Sequence, residues 1–271
     1  MMADVIVSEL YIHPVKSLRG IAVDSIELDK FGAKYDRRWM VVDPDGQFIT
    51  QRQHSEMTKI STAIEDGQLT LRDDNGEIQV AEANANVEMQ VKVWGDTVIA
   101  QDCGDEVAQW LEQRLAVVCR LVYIADHIDR IVAPAYSDGQ QTVGFADGFP
   151  LMVISQASLD DLNGRLEEKV TMSRFRPNIV VGGCEPFAED SWSSLKHERV
   201  NFTVAKPCSR CSIPSLDPLT GERHATLNRV LASYRRRDRA IYFGQNLTFD
   251  ALTKIQRGDR LVVSTVDSEL S

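Results

Sequence analysis

Trp39-Met40-Val41-Val42-Asp43-Pro44-Asp45-Gly46-Gln47-Phe48-Ile49-Thr50 sets two short apolar runs on either side of a tight turn. Proline presets φ and glycine accepts a positive φ, so residues 43–46 reverse the chain between two strands. The same grammar extends in both directions. Upstream, Val5, Val7 and Glu9-Leu10-Tyr11-Ile12 read as one strand, and Ile21, Val23, Ile26 and Leu28 as a second. Downstream, short strands at residues 69–71, 78–80 and 91–94 are punctuated by Asp66-Gly67, Asn75-Gly76 and Gly95-Asp96. Strands at this spacing require a sheet that closes on itself or packs on another.

Helical periodicity first appears at residues 105–115, where Val107, Trp110, Leu111 and Leu115 share a face. Acids occupy its first turn and Arg114 its last, as the helix dipole prefers. A second helix is expected over residues 158–169, with Leu159, Leu162 and Leu166 inward. A third is expected over 224–234, through Leu227, Val230, Leu231 and Tyr234. Residues 121–124, 151–154 and 178–181 read as buried strands, and 241–243 and 261–263 as short closing strands. The Ala-Asn-Ala-Asn stretch at residues 83–86 interrupts the pattern. The class is therefore β-rich α+β with a barrel, in two parts: residues 1–95 and residues 96–271. Trp39, Trp110 and Trp192 are expected in cores, Cys184 as a buried small residue and His13 as structural.

The 271 residues are 43% hydrophobic and 26% charged, which supports a sizeable core and excludes collagen-like or disordered chains. Thirty basic against 40 acidic residues give a formal charge of −10, unfavourable for nucleic acid or anionic lipid. Apolar runs fall short of the roughly 20 residues of a membrane span. The start, Met-Met-Ala-Asp-Val-Ile-Val-Ser-Glu, lacks a basic leader region. Five cysteines, at 103, 119, 184, 208 and 211, are few and odd in number, so reduced thiols in a cytoplasmic protein are expected.

One region runs against the average charge. Residues 172–240 hold 12 basic and 7 acidic residues, mostly arginines, whose forks bind phosphate and carboxylate in pairs of hydrogen bonds. The run Arg235-Arg236-Arg237 is expected at a solvated helix end. Arg174 and Arg176 precede Pro177-Asn178 and a buried strand, so at least one should turn into a pocket. Arg37 and Arg38 are adjacent on a strand and face opposite ways, so only one can reach a site.

Within that region lies Pro207-Cys208-Ser209-Arg210-Cys211. A structural zinc site needs a second pair of ligands. A thioredoxin-type couple needs a following helix, which Ser212-Ile213-Pro214 opposes. The spacing also fails for an iron–sulfur cluster. Two readings stay open: packed small thiols, or one thiolate on a metal whose other ligands come from an organic cofactor, with Arg210 favouring the thiolate.

Several short motifs, in order, cover about residues 5–264: Tyr11-Ile12-His13-Pro14-Val15-Lys16-Ser17, Asp36-Arg37-Arg38-Trp39, Phe145-Ala146-Asp147-Gly148-Phe149-Pro150, Phe175-Arg176-Pro177-Asn178-Ile179, Ala188-Glu189-Asp190-Ser191-Trp192, the Cys-Ser-Arg-Cys segment, Asp217-Pro218-Leu219-Thr220-Gly221 and Phe243-Gly244-Gln245-Asn246. In these the chain resembles the MOSC-domain family, in the branch with an N-terminal MOSC β-barrel domain. That branch holds the mitochondrial amidoxime-reducing component and bacterial hydroxylaminopurine-resistance proteins. The resemblance implies a MOSC-type barrel with flanking helices plus a smaller N-terminal β-rich part.

It further implies a molybdenum cofactor, a pyranopterin dithiolene, whose metal takes Cys211 as ligand. Lys16, Ser17, Arg37, Arg176 and Asn178 match positions that hold the pterin or its phosphate, Ser209 one that contacts the cofactor, and Asp147 one beside the metal. The implied activity is reduction of N-hydroxylated compounds, amidoximes or hydroxylamino-purines, with Cys211 and Asp147 catalytic. Without ferredoxin-type cysteines or a desulfurase part before Ser271, neither an iron–sulfur cluster nor pyridoxal phosphate is expected. The electrons are then expected from a separate ferredoxin- or cytochrome-type protein with its reductase. The rival is a non-catalytic carrier that delivers the cofactor or a sulfur atom.

Overall fold

The computed structural model describes residues 3–137 and 139–266. Met1-Met2 and Ser271, on which the expectations of no leader and no further domain rest, lie outside those residues. Eleven strands frame the site: β1 (Ala3–Ile12), β2 (Trp39–Val42), β3 (Asn84–Val93), β4 (Asp96–Asp102), β5 (Arg120–Tyr123), β6 (Leu151–Ser155), β7 (Ile179–Gly182), β8 (Trp192–His197), β9 (Val200–Arg210), β10 (Ala240–Phe249) and β11 (Arg260–Thr265). The helices are α1 (Asp105–Leu115), α2 (Gln156–Gly164) and α3 (Leu227–Arg235).

Seven strands close a barrel in the order β6-β7-β1-β11-β8-β9-β10, and β10 pairs back to β6. The β6–β7 seam is parallel and its connection carries α2; the other seams are antiparallel. Alternation explains how one strand serves two cores. Leu151 and Val153 point into the barrel with Val5, Leu10, Ile179, Phe202 and Leu261, whereas Met152 and Ile154 point outward beneath α2 and α3. Full burial on both faces is why this segment reads as a continuous apolar run.

The smaller sheet runs β2-β5-β4-β3. Trp39, Val41 and Leu121 face α1, packing with Leu111 and Leu115, while Met40, Val42 and Val122 face a second apolar cluster around Phe145. The hairpin at Trp94-Gly95 joins β3 to β4, so residues on both sides of position 95 share one sheet. β1, although first in the chain, sits in the barrel between β7 and β11. From its end the chain crosses to the smaller sheet, where Val15 bridges Trp39.

Several elements differ from expectation. Residues 48–50 form no strand; Phe48 makes a single bridge to Val42. The second helix stops at Gly164, and its true cap is Ser155, whose Oγ accepts from Ser158 N–H at 3.1 Å. The third starts at Leu227 because His224 Nδ1 accepts the Leu227 N–H at 3.1 Å, taking the capping role. β9 was not anticipated: Lys206-Pro207-Cys208-Ser209 is poor strand sequence, and the register shifts between Pro207 and Ser209 to absorb the missing donor. Trp39 and Trp192 are core residues, and Trp110 is half-buried under the Arg114 guanidinium. The arginine run is only partly solvated, since Arg235 folds back onto Asp190 at 2.6 Å and over the Phe187 ring.

The closing seam depends on Gly244 in β10. Its φ is +80°, and a Cβ there would lie 2.6 Å from Ile154 Cγ1 and 2.8 Å from Val153 O. Gly244→Ala is expected to cost about 2–4 kcal/mol, combining left-handed strain with overpacking. The midpoint of urea unfolding, followed by far-UV circular dichroism, measures it.

Candidate functional site

Three loop segments meet where the barrel and the smaller sheet adjoin. The first follows β1. Lys16 N–H donates to Trp39 O at 2.8 Å and Leu18 N–H to Val15 O at 3.2 Å, forming a turn that holds Ser17 at φ +67°. Lys16 is buried, and its Nζ donates to Phe145 O at 2.8 Å and to Asp147 Oδ1 at 2.5 Å.

The second segment precedes β2. Buried Asp36 accepts from His13 N–H and from Arg37 Nη1, each at 2.6 Å. Arg37 also donates to Asn178 Oδ1 at 3.3 Å and to Arg176 O at 3.1 Å. Arg38 turns the other way, to Asp126, Tyr123 and Ile124 O, but not because the two share a strand: β2 starts at Trp39, and Arg37 sits in a turn at φ +47°. The third segment precedes β7: Arg176 Nη1 donates to Leu18 O at 2.6 Å, and Asn178 Nδ2 to Tyr11 O at 3.3 Å. Of the two arginines expected near a pocket, Arg176 joins this set and Arg174 pairs with Asp217 instead.

Ser17, Arg37 and Arg176 all adopt left-handed backbone conformations, at φ +67°, +47° and +55°. Such residues carry strain that their surroundings must hold. His13 contributes to holding it. Its Nε2–H donates to Pro177 O at 3.1 Å, its O accepts from Arg37 N–H, and burial with the Arg37 and Arg176 charges keeps its imidazole neutral.

Charge is unevenly balanced here. Lys16, Arg37 and Arg176 are cations; Asp36 and Asp147 are their carboxylate counterparts. Burial lowers Lys16 against the opposing pull of Asp147. Burial and the neighbouring Arg37 push Arg176 down to about 9, which leaves it charged at neutral pH. Burial raises Asp36. Desolvation would raise Asp147 too, but the Lys16 ammonium, the Trp94 N–H and the Arg37 charge hold its carboxyl well below the ordinary range. Within this set three cations face two carboxylates.

The cysteine segment forms the adjoining edge. Arg210 points inward, its guanidinium donating to Phe243 O and Phe175 O at 2.8 Å, so it braces β9. Cys208 packs against the outer core, and burial raises its thiol. The charges of Arg210, Asp147, Cys211 and Arg37 also act on that thiol, which puts all of them in one electrostatic neighbourhood. Cys211 and Ser209 are exposed, and Ile213 N–H points at Cys211 Sγ at 3.5 Å. Lys16, Ser17, Arg37, Asp147, Arg176 and Asn178 therefore form one connected set, which the cysteine segment meets through Arg210 and Phe175 O, not through Ser209 or Cys211.

Three participants had no sequence assignment. Arg130 Nη1 donates to Gly144 O and Ala146 O, fixing the loop that carries Asp147. Asp36 anchors Arg37. Trp94 Nε1–H donates to Asp147 Oδ1 at 3.0 Å, although nothing in its local sequence separates it from the core tryptophans. Among the described residues no group of three or more His, Cys, Asp or Glu side chains is placed to hold a metal ion. A metal held through Cys211 must bring its other ligands with it.

Residues 4–118 match the MOSC N-terminal beta barrel domain, and residues 140–262 the MOSC domain. The chain belongs to the MOSC family. It is 34% identical to the mitochondrial amidoxime-reducing component 1 of Mus musculus, over 93% of this chain and 80% of that one. Identity to the mitochondrial amidoxime reducing component 2 of Bos taurus is 35%, over 93% and 81%. The molybdenum cofactor sulfurase of Oryza sativa subsp. japonica is 30% identical over 92% of this chain and 33% of its own length. No helix among the described residues is long and apolar enough to cross a membrane.

The Lys16–Asp147 pair gives a direct test. Asp147 is expected to stay ionised well below the usual carboxylate pKa of about 3.9, and Lys16→Met to bring it back toward that value. Carbon-13 NMR of the aspartate carboxyls reads the shift. Because the folded-state pKa is depressed, the stability advantage over Asp147→Asn is full above about pH 4. It shrinks as pH falls through the folded value.

Proposed function

We propose that this chain is an oxidoreductase that binds a molybdenum cofactor and reduces N-hydroxylated compounds, with electrons delivered by a separate protein. The observation that carries the reading is the hydrogen-bonded cluster that gathers Lys16, Arg37 and Arg176 with Asp36, Asp147 and Asn178, and that Arg210, next to the exposed Cys211, joins through Phe175 O. A terminal phosphate matches the excess of cations over carboxylates in this set and the arginine forks. A thiolate at Cys211 suits a metal whose remaining ligands arrive with an organic group. The names of the mouse and cattle relatives point to amidoxime reduction, and that of the rice relative to the molybdenum cofactor.

When bound, the cofactor supplies a two-electron redox centre. Arg37 and Arg176 would grip its phosphate end, Ser17, Asn178 and Ser209 would orient the pterin, and Cys211 would anchor the metal. Converting an N–OH group to N–H takes two electrons and two protons and releases water. Lys16 holds a proton at Nζ, 2.5 Å from Asp147 Oδ1, and burial makes that ammonium more acidic than a free lysine. Asp147, solvent-exposed on its outer side, keeps this proton at the rim where substrate enters. The exposure of Cys211 also meets the requirement of a carrier that hands on the cofactor or a sulfur atom.

Cys211→Ser is expected to keep its fold and some pterin, lose molybdenum and abolish benzamidoxime reduction with dithionite as donor. Cys208→Ser should keep most of the activity and lose at most roughly 1–2 kcal/mol of stability. Metal analysis and turnover of the two variants side by side decide the ligand. Molybdenum-loaded wild-type protein that leaves benzamidoxime unreduced would establish the carrier reading instead.

A further inference from the structure

Trp94 stands where glycine, asparagine or aspartate would cost least. It is the first of the two residues that turn β3 into β4, between the paired Val93 and Asp96, and its φ is +56°. Two-residue hairpin loops place small or turn-forming residues at such a position. Its indole is also 50% exposed, whereas Trp39 and Trp192 are buried. Backbone strain and solvated apolar surface are both unfavourable, and both serve a single placement.

That placement is beside the Lys16–Asp147 pair. The indole N–H is tied to Asp147 Oδ1, which also holds Lys16. Phe48 props the ring from one side, with centroids 5.1 Å apart and planes at 58°. The Arg52 guanidinium lies over the ring at 4.9 Å and the Lys16 ammonium at 6.0 Å. Phe48 and Arg52 also line a cleft of about 680 Å³ that reaches His54 and Val118. Such a shelf, a half-exposed indole next to an aromatic ring and a guanidinium that face a cleft, recognises flat π systems, which stack on the rings and on the cation.

We propose that Trp94, Phe48 and Arg52 select N-hydroxylated substrates that carry a planar aromatic or heteroaromatic group. The ring lies on the shelf, and the N–O group is directed toward Lys16 and Asp147. This rests on the reading of the Lys16–Asp147 pair as part of the reaction site. A tryptophan serving the fold alone would be covered by its neighbours, and its removal would not discriminate between substrates.

The test compares benzamidoxime with acetamidoxime on the cofactor-loaded protein. Trp94→Leu should lower the ratio of their kcat/KM values by about 5- to 100-fold, the usual effect of deleting a stacking partner, chiefly through the KM for benzamidoxime. Trp94→Phe, which keeps a ring but loses the N–H, should retain most of the ratio. An unchanged ratio in Trp94→Leu overturns the proposal. A second readout needs no turnover. Benzamidoxime should quench tryptophan fluorescence saturably, acetamidoxime should not, and the quench should vanish in Trp94→Phe. If neither compound is reduced, the reductase reading fails while the quench still decides the shelf; equal quenching by both compounds, or none, overturns it.

Discussion

The pairing of β1 with β7 governs where the chemistry-bearing residues lie. Tyr11 N–H donates to Asn178 O at 2.9 Å, and Asn178 Nδ2 returns a bond to Tyr11 O. At this point a strand from the start of the chain ends beside a strand from its second half. Immediately beyond it, one chain runs into Lys16 and Ser17, and the other has just passed Arg176. The smaller sheet supplies Arg37 from the residue pair that leads into β2. Each site segment is thus a short extension of a paired strand, and paired strands fix position more firmly than free loops do. Asn178 spans the arrangement, since its Oδ1 accepts from both Arg37 and Met152 N–H.

Gathering Lys16, Arg37 and Arg176 in one cluster works against stability unless something negative joins them. The chain supplies Asp36 and Asp147 and keeps His13 neutral, which limits the repulsion without cancelling it. The left-handed residues Ser17, Arg37 and Arg176 add backbone strain in the same volume. A fold that concentrates charge and strain in one place gains stability from an anionic ligand, because binding to the folded state alone shifts the unfolding equilibrium.

Much of this architecture was legible in the sequence because alternation and turn chemistry are local signals. β2 and α1 stand where the pattern of Trp39–Val42 and the apolar face of Asp105–Leu115 put them. β9 was not legible, for its Pro207 and polar neighbours are kept in a sheet by partners far along the chain. Arg37 and Arg38 do point apart, but through a left-handed turn at Arg37 rather than the strand alternation expected of them, and no local pattern showed that turn. Trp94 was hidden as well. Only the hairpin that strains its backbone brings its N–H to Asp147, and that contact joins residues 53 positions apart. Arg130 was invisible for the same reason, since its partners, the Asp96 carboxylate and the Gly144 and Ala146 carbonyls, are brought to it by the fold.

The place of β1 in the barrel also orders the folding of the chain. The strand pairs along the barrel with β7 and β11, both synthesised long after it, and only its end, residues 10–12, has a near partner in residues 21–23. The smaller sheet has closer partners, and its hairpin of β3 and β4 joins strands only two residues apart. Low sequence separation favours early formation, so that sheet forms while the barrel is still incomplete. Until β11 leaves the ribosome, β1 keeps an unpaired edge with Val5 and Val7 unsheltered, the kind of segment that pairs with foreign strands. The kinetic hazard of this fold lies in its first strand, whose two edges the finished barrel covers.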